Sequence, residues 1–126
     1  MTMWYKWSLE NPATTDELKA RIRVPAASPW FDGHFPHHPV LPGIAQLGMV
    51  HDLLCRAFKR QLPVRKVSRV RFKQMIGPDQ DVVLTVRAID ADGGHSFRIS
   101  GDEGLICSGL MRLGVEQETD GSRKRE

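Results

Sequence analysis

Pro42-Gly43-Ile44-Ala45-Gln46-Leu47-Gly48-Met49-Val50-His51-Asp52-Leu53-Leu54-Cys55-Arg56-Ala57-Phe58 is the stretch on which the fold turns. Positions 47, 50, 54, 57 and 58 recur at the i, i+3, i+4 spacing of a helix. Ile44, Ala45, Met49 and Leu53 widen the apolar surface beyond one stripe. A helix apolar over most of its circumference belongs inside something, so the rest of the chain is expected to enclose it. Pro63, which can neither donate a backbone hydrogen bond nor continue a helix, is expected to end it.

Upstream, Leu18, Ala20, Ile22 and Val24 alternate with Lys19, Arg21 and Arg23, the period of a half-buried strand. Pro25, Pro29, Pro36, Pro39 and Pro42 then make a stiff loop of defined geometry. Downstream the period is again two. Strands are expected over Val64–Lys73, Asp81–Ala88, His95–Ser100 and Leu105–Val115, with turns at Gly77-Pro78-Asp79, Asp90–Gly94 and Gly101–Gly104. In the strand at 64–73, Val70 and Phe72 oppose Arg69, Arg71 and Lys73. One long apolar helix followed by hairpin-connected strands reads as an α+β fold, an antiparallel sheet wrapped around a central helix. So small a sheet cannot cover the helix completely, which predicts a dimer joined along the sheet edge.

The 126 residues fit a single domain over 1–115, with a polar tail at 116–126 that reads as disordered. At 40% apolar, the chain has enough for one ordinary core. Cys55 and Cys107 lie in apolar stretches and in no metal-ligand spacing, so they read as buried reduced thiols, which fits a cytoplasmic protein. The start of the chain carries no signal-peptide pattern, and no run of about 18 apolar residues is long enough for a membrane span. A net charge of +3 tolerates an acidic partner without demanding nucleic acid.

The chemistry is expected in the loop that feeds the helix, Asp32-Gly33-His34-Phe35-Pro36-His37-His38-Pro39-Val40-Leu41-Pro42-Gly43. Gly33 lets the backbone turn sharply beside His34, and an imidazole of ordinary pKa near ~6.5 suits proton transfer at neutral pH. Pro42-Gly43 puts a helix N-terminus, with free N–H groups and a positive dipole end, close behind; such N–H groups polarise a carbonyl as an oxyanion hole does. His34, His37 and His38 also spell a cluster of metal-ligand types. The prolines around them make a shared geometry awkward and no carboxylate or thiol completes a set, so they read as loop histidines.

Gly33-His34-Phe35-Pro36 followed by Pro39-Val40-Leu41-Pro42-Gly43 resembles the active-site loop of the FabA/FabZ-type hot-dog 3-hydroxyacyl-acyl-carrier-protein dehydratases. The continuation Ile44-Ala45-Gln46-Leu47 is closer still to their aryl-polyene, ApeI-like branch. Val70-Arg71-Phe72-Lys73, Gly77-Pro78-Asp79 and Gly104–Gly109 resemble the family's later strands and turn, with the glycine and proline of that turn in swapped order. The resemblance spans about residues 18 to 115. It implies a hot-dog fold in fatty acid or polyene biosynthesis, with no cofactor beyond the phosphopantetheine that carries the substrate. The implied partners are acyl carrier protein and a second subunit, either a copy in a homodimer or higher homo-oligomer, or a related dehydratase chain. By position His34 is the base and the Gly43 N–H holds the thioester oxygen, while Gly33, Phe35, Pro36, Pro42 and Gly48 line the substrate.

The family's acid, five residues after the Pro-Gly glycine and usually offered across a dimer, falls on Gly48, which has no proton to give. Asp52, one helical turn or about 5.4 Å further on, is the candidate substitute, and a water held by Gln46 is another. Gly48 can also serve close packing between two central helices. A non-catalytic supporting subunit and a hot-dog thioesterase therefore stay open as alternatives. The cations Lys59, Arg60, Arg65, Lys66, Arg69, Arg71 and Lys73 read either as a landing site for an acidic carrier or pantetheine phosphate, or as a solvated strand face. Trp4, Tyr5 and Trp7 read as a tunnel cap, a partner contact or an N-terminal anchor.

Overall fold

The computed structural model describes residues 4–10, 17–31 and 40–114. The elements run β1 (Lys6–Leu9), β2 (Glu17–Arg23), a single 3-10 turn (Pro29–Phe31), α1 (Gly43–Phe58), β3 (Val64–Phe72), β4 (Asp81–Ala88), β5 (Gly94–Gly101) and β6 (Gly104–Leu113). The six strands form one antiparallel sheet in the order β1-β2-β4-β5-β6-β3. Short hairpins join β4 to β5 and β5 to β6. β3, entered directly from the helix, is laid on the far edge against β6.

Alternation along the strands supplies the concave face. Leu18, Ala20 and Ile22 of β2, Val82, Leu84 and Val86 of β4, Phe97 and Ile99 of β5, and Cys107 and Met111 of β6 are all buried. They close over Ala45, Met49, Val50, Leu53 and Leu54 of α1. The sheet therefore wraps the helix, as the sequence reading requires. Cys55 and Cys107 are both free and buried, and burial pushes the Cys107 thiol up to about 11.

Five details differ from the reading of the sequence. The helix is not apolar all round: Ile44 is 73% exposed, Gly48 is exposed, and with Asp52 and Arg56 they form an outward i, i+4 row. Its inner face is centred on 46, 49, 50 and 53, one position round from the stripe expected at 47, 50, 54, 57 and 58. Lys59, not Pro63, ends the helix, taking a left-handed conformation (φ 57°) from which its own amide and that of Arg60 bond back to the Arg56 and Cys55 carbonyls. Lys6–Leu9, whose aromatic spacing gave no strand signal, pairs with β2 in the register Trp7 opposite Ile22. In β3 the register slips between Ser68 and Arg71, with Arg69 at φ 55°. That bulge re-aims the strand end, and Phe72, which alternates with Arg71 and Lys73 in sequence, is half exposed. Residues 116–126 lie outside the described residues.

Candidate active site at the head of the central helix

The segment that leads into α1 is pinned before the helix begins. Leu41 donates its N–H to the Ile76 carbonyl (2.8 Å), and its own carbonyl accepts from Gln46 Nε2 (3.2 Å). Pro42 then stands in extended geometry (φ −61°, ψ 151°), and its carbonyl receives the Ala45 and Gln46 amides at 3.1 and 3.2 Å. Among the described residues no side chain caps the helix. The N–H groups of Gly43 and Ile44 find no acceptor among the described residues. Two donors at the positive end of a 16-residue helix thus have no partner among the described residues.

Glycine at 43 has a local cause. A Cβ there would lie 2.7 Å from the ring tip of Phe72, which stands over the first turn from the end of β3. The bulge in β3 and the absence of a side chain at 43 are two sides of one contact. Phe72, Ile44 and Met75, all well exposed, make an apolar rim beside the open amides. Phe72 escaped the sequence reading because nothing in Val70-Arg71-Phe72 announces the bulge.

Gln46 is the polar residue on the inner face of the helix, 3% exposed, and its Oε1 has no hydrogen-bond partner among the described residues. Burying an amide oxygen unpaired costs about 1–3 kcal/mol, so its retention beside the helix entry has a cost that its hydrogen bond to Leu41 only partly offsets.

Gly48 and Asp52 lie on the outer row. A Cβ built at Gly48 meets nothing within 4 Å, so packing inside this chain does not require glycine there. Asp52 is committed: Tyr5 donates its hydroxyl to Asp52 Oδ2, and Arg56 Nε donates to the same oxygen at 2.9 Å. Burial, and then the carboxylate, push the Tyr5 hydroxyl above its ordinary range, so it stays a donor. Tyr5 is itself buried, and Trp4 meets both Tyr5 and Trp30 edge-on, with centroids 4.8 and 5.8 Å away. Of the roles open to the N-terminal aromatics, the structure favours the anchor: they tie the start of the chain to the outer face of α1.

Pro42, Gly43, Gly48 and Asp52 are therefore strung along one helix, with the open amides at its head. Gly33, His34, Phe35, Pro36, His37 and His38 lie outside the described residues. Among the described residues there is no group of three or more His, Cys, Asp or Glu placed to hold a metal, and no helix long and apolar enough to cross a membrane. An open cleft of about 1090 Å³ lies at the other end of α1, bordered by Phe58, Leu62, Lys66, His95 and Arg112. It is remote from these amides and takes no part in the site.

One antiparallel sheet rolled around one helix, with a Pro-Gly helix head left open, defines the hot-dog class. Solved structures agree on the fold. The dehydratase heterocomplex ApeI:P from Xenorhabdus doucetiae superposes with a TM-score of 0.76 at 24% identity, covering 86% of this chain and 95% of that one. The (R)-hydratase of A. caviae involved in PHA biosynthesis gives 0.64 at 17% identity over 79% and 93%. A hypothetical thioesterase with coenzyme A from Streptococcus pneumoniae gives 0.61 at 10% over 90% and 92%. In sequence, the 3-hydroxyacyl-[acyl-carrier-protein] dehydratase FabZ of Clostridium perfringens is 32% identical over 112 residues, 81% of each chain. That of Caldicellulosiruptor bescii is 32% identical over 98 residues, 70% of each. The family model for the ApeI dehydratase matches residues 10–110. The chain belongs to the ApeI-like dehydratase family.

Proposed function

We propose that this chain is a dehydratase subunit that receives 3-hydroxyacyl thioesters from acyl carrier protein in the cytoplasm and removes water from them. The observation that carries this reading is the uncapped head of α1, whose Gly43 and Ile44 amides directly follow the loop that bears His34. The thioester oxygen accepts from the Gly43 N–H, and the developing enolate charge is held by that amide and the helix dipole. His34 takes the proton alpha to the carbonyl. The C–H electron pair becomes the new C=C bond, the bond from C3 to its hydroxyl breaks, and the hydroxyl leaves as water once it is given a proton. Gly33, Phe35, Pro36 and Pro42 shape the entry. The chemistry needs no group beyond the phosphopantetheine arm.

The proton for the leaving hydroxyl is what this chain does not provide at 48. In this reading Asp52 does not replace it, because Tyr5 and the Arg56 guanidinium, both bonded to its Oδ2, hold it as an ionised acceptor. The acid comes from a second chain, and Gly48 leaves room at the face where the chains meet. One positioned acid or base contributes about 10²–10⁴-fold, so the chain on its own is expected to be slow. Gly48 also favours a second reading, a supporting subunit that binds the thioester for an active relative.

Purified protein is incubated with 3-hydroxyacyl thioesters on acyl carrier protein and on a pantetheine mimic, and mass spectrometry follows the products. Loss of water that disappears in His34→Ala supports the dehydratase. A bound but unchanged thioester supports the supporting subunit, and release of free thiol would move the chain to the thioesterases.

A further inference from the structure

The open cleft of about 1090 Å³ at the C-terminal end of α1 has walls set by close approaches. Arg65 runs its stem over Gly114, where a Cβ would lie 2.9 Å from the Arg65 Cδ. Asp90 and Arg112 meet over Gly94, where a Cβ would come within 2.8 Å of Asp90 Oδ2 and 3.0 Å of the Arg112 guanidinium. Two glycines thus make room for charged side chains that a larger residue would displace. The apolar lining is Phe58, Leu62, Ala88, Ala91 and Leu113, with Phe58 stacked on His95 at a centroid distance of 6.4 Å.

Four cations, Arg60, Arg65, Lys66 and Arg112, border the cleft against two carboxylates, Asp90 and Asp92. Both acids act on Arg112. Its guanidinium grips Asp90 at 2.8 and 3.3 Å, and the charge of Asp92 acts on the same group. The Asp92 and Gly94 amides also donate to Asp90 Oδ1, at 2.9 and 3.0 Å. Arg65 and Lys66 have no ion pair among the described residues. Lys66 faces Arg112 across the ladder to β6, which adds charge of the same sign. An open helix end would oppose an anion here, but the Arg56 and Cys55 carbonyls already accept from the Lys59 and Arg60 amides.

From Lys66 on β3 to Ala88 on β4 the cleft crosses β6 and β5, three interstrand steps or about 14 Å. Uncompensated cations on one side and an apolar strip leading away from them select a ligand with an anionic head and an extended apolar body.

We propose that this cleft is a second ligand site, separate from the head of α1, for a free acyl carboxylate of medium chain length. The carboxylate accepts from Arg65 and Lys66, and the chain lies along Phe58, Leu62 and Leu113 towards Ala88. Hydrolysis of an acyl thioester consumes one water and yields a thiol and such an acid. The site therefore reads chains released from a carrier, since a chain still held as a thioester lacks the negative oxygen the cations need. The inference does not depend on the dehydratase reading, and no turnover enters its test.

Isothermal titration calorimetry of the full chain with decanoate, below its micelle threshold, is compared with 1-decanol and with acetate. Decanoate is expected to bind at least about tenfold more tightly than either, and more weakly as salt rises. Arg65→Gln with Lys66→Gln is expected to weaken decanoate at least about tenfold. Ala88→Phe, which fills the strip and keeps both cations, is expected to weaken it too, so either variant suffices if the other fails to fold by circular dichroism. Hydrogen exchange is expected to show decanoate protecting residues 58–66 and 88–95. Failure of decanoate to bind the wild type, equal binding of decanol, or an affinity unchanged in the folded variants would overturn the proposal. So would protection confined to residues 41–47 at the head of α1, or tighter binding of decyl phosphate than of decanoate.

Discussion

At the C-terminal end of α1, Lys59 turns left-handed so that its amide and that of Arg60 reach the Arg56 and Cys55 carbonyls at 3.3 and 3.1 Å. His51 Nε2 meets the Leu62 carbonyl at 2.6 Å, and Cys55 Sγ lies 3.6 Å from the same oxygen, tying the following loop back to the helix. Phe58 stacks on His95 with centroids 6.4 Å apart. At the N-terminal end, the described residues offer neither a side-chain cap nor an acceptor for the Gly43 and Ile44 amides, and apolar side chains stand exposed nearby. One helix thus has a finished end and an unfinished one. Helix donors are costly to leave unused, and at the other end two helix carbonyls are satisfied by the Lys59 and Arg60 amides while the loop that follows is tied back through the Leu62 carbonyl. In the proposed function, the open end is where a ligand's oxygen completes the structure.

Substitutions at the two ends should therefore separate activity from stability. The largest effect is expected from His34→Ala, which should lower any measured water loss about 10²–10⁴-fold. Its melting temperature should stay within a degree or two of the wild type. At the other end, His51→Ala removes the contact to Leu62 and should cost about 1 kcal/mol in urea unfolding, while leaving thioester binding unchanged. If His51→Ala instead abolished binding with the fold intact, the division between the ends would fail.

Lys59→Gly is a smaller test of the same end. Lys59 holds φ 57°, a conformation that costs a side-chain-bearing residue more than glycine. The substitution should stabilise the protein by up to about 1 kcal/mol. The smallest effect is in pH. Burial lowers the His95 pKa below its ordinary 6.5, outweighing the Gly93 and Met111 backbone contacts and the Asp90 carboxylate. The neutral ring is the form the fold prefers, so its stabilisation is complete above the unfolded value. It is lost as pH falls through the lower folded one. Melting temperature should therefore drop as the buffer is taken below about 6.5, and His95→Gln should flatten that limb.

How much of this was legible in the sequence follows the range of the forces involved. Helix α1 and strand β4 stand where period and turn residues put them, because those signals are local. Strand β1 was missed: four residues with Trp7 among polar neighbours carry no alternation, and only the partner β2 makes them a strand. Pro63 was credited with ending the helix because proline is a visible stop, whereas the left-handed Lys59 that ends it has no mark in the chain. The half-exposed position of Phe72 is not legible from its alternation with Arg71 and Lys73, because the bulge at Arg69 depends on pairing with β6. In the site, Pro42, Gly43 and the vacancy at Gly48 could be read from the loop motif. Tyr5 could not be matched to Asp52, 47 residues away, because that contact exists only once the sheet has wrapped the helix.

The central claim is that the open head of α1 receives the thioester carbonyl, and a vibrational measurement reaches it without waiting for turnover. A 3-hydroxyacyl thioester with a 13C-labelled carbonyl is bound to the protein, and its stretch is compared with that of the free thioester by infrared difference spectroscopy. Phe72→Ala makes room for a ring at 43, and Phe72→Ala with Gly43→Pro then deletes the Gly43 N–H while keeping a residue suited to the first helical position. The account predicts a shift to lower frequency in the wild type and in Phe72→Ala that is lost in the double variant. An unshifted carbonyl in the bound wild type, or the same shift in all three proteins, would contradict it.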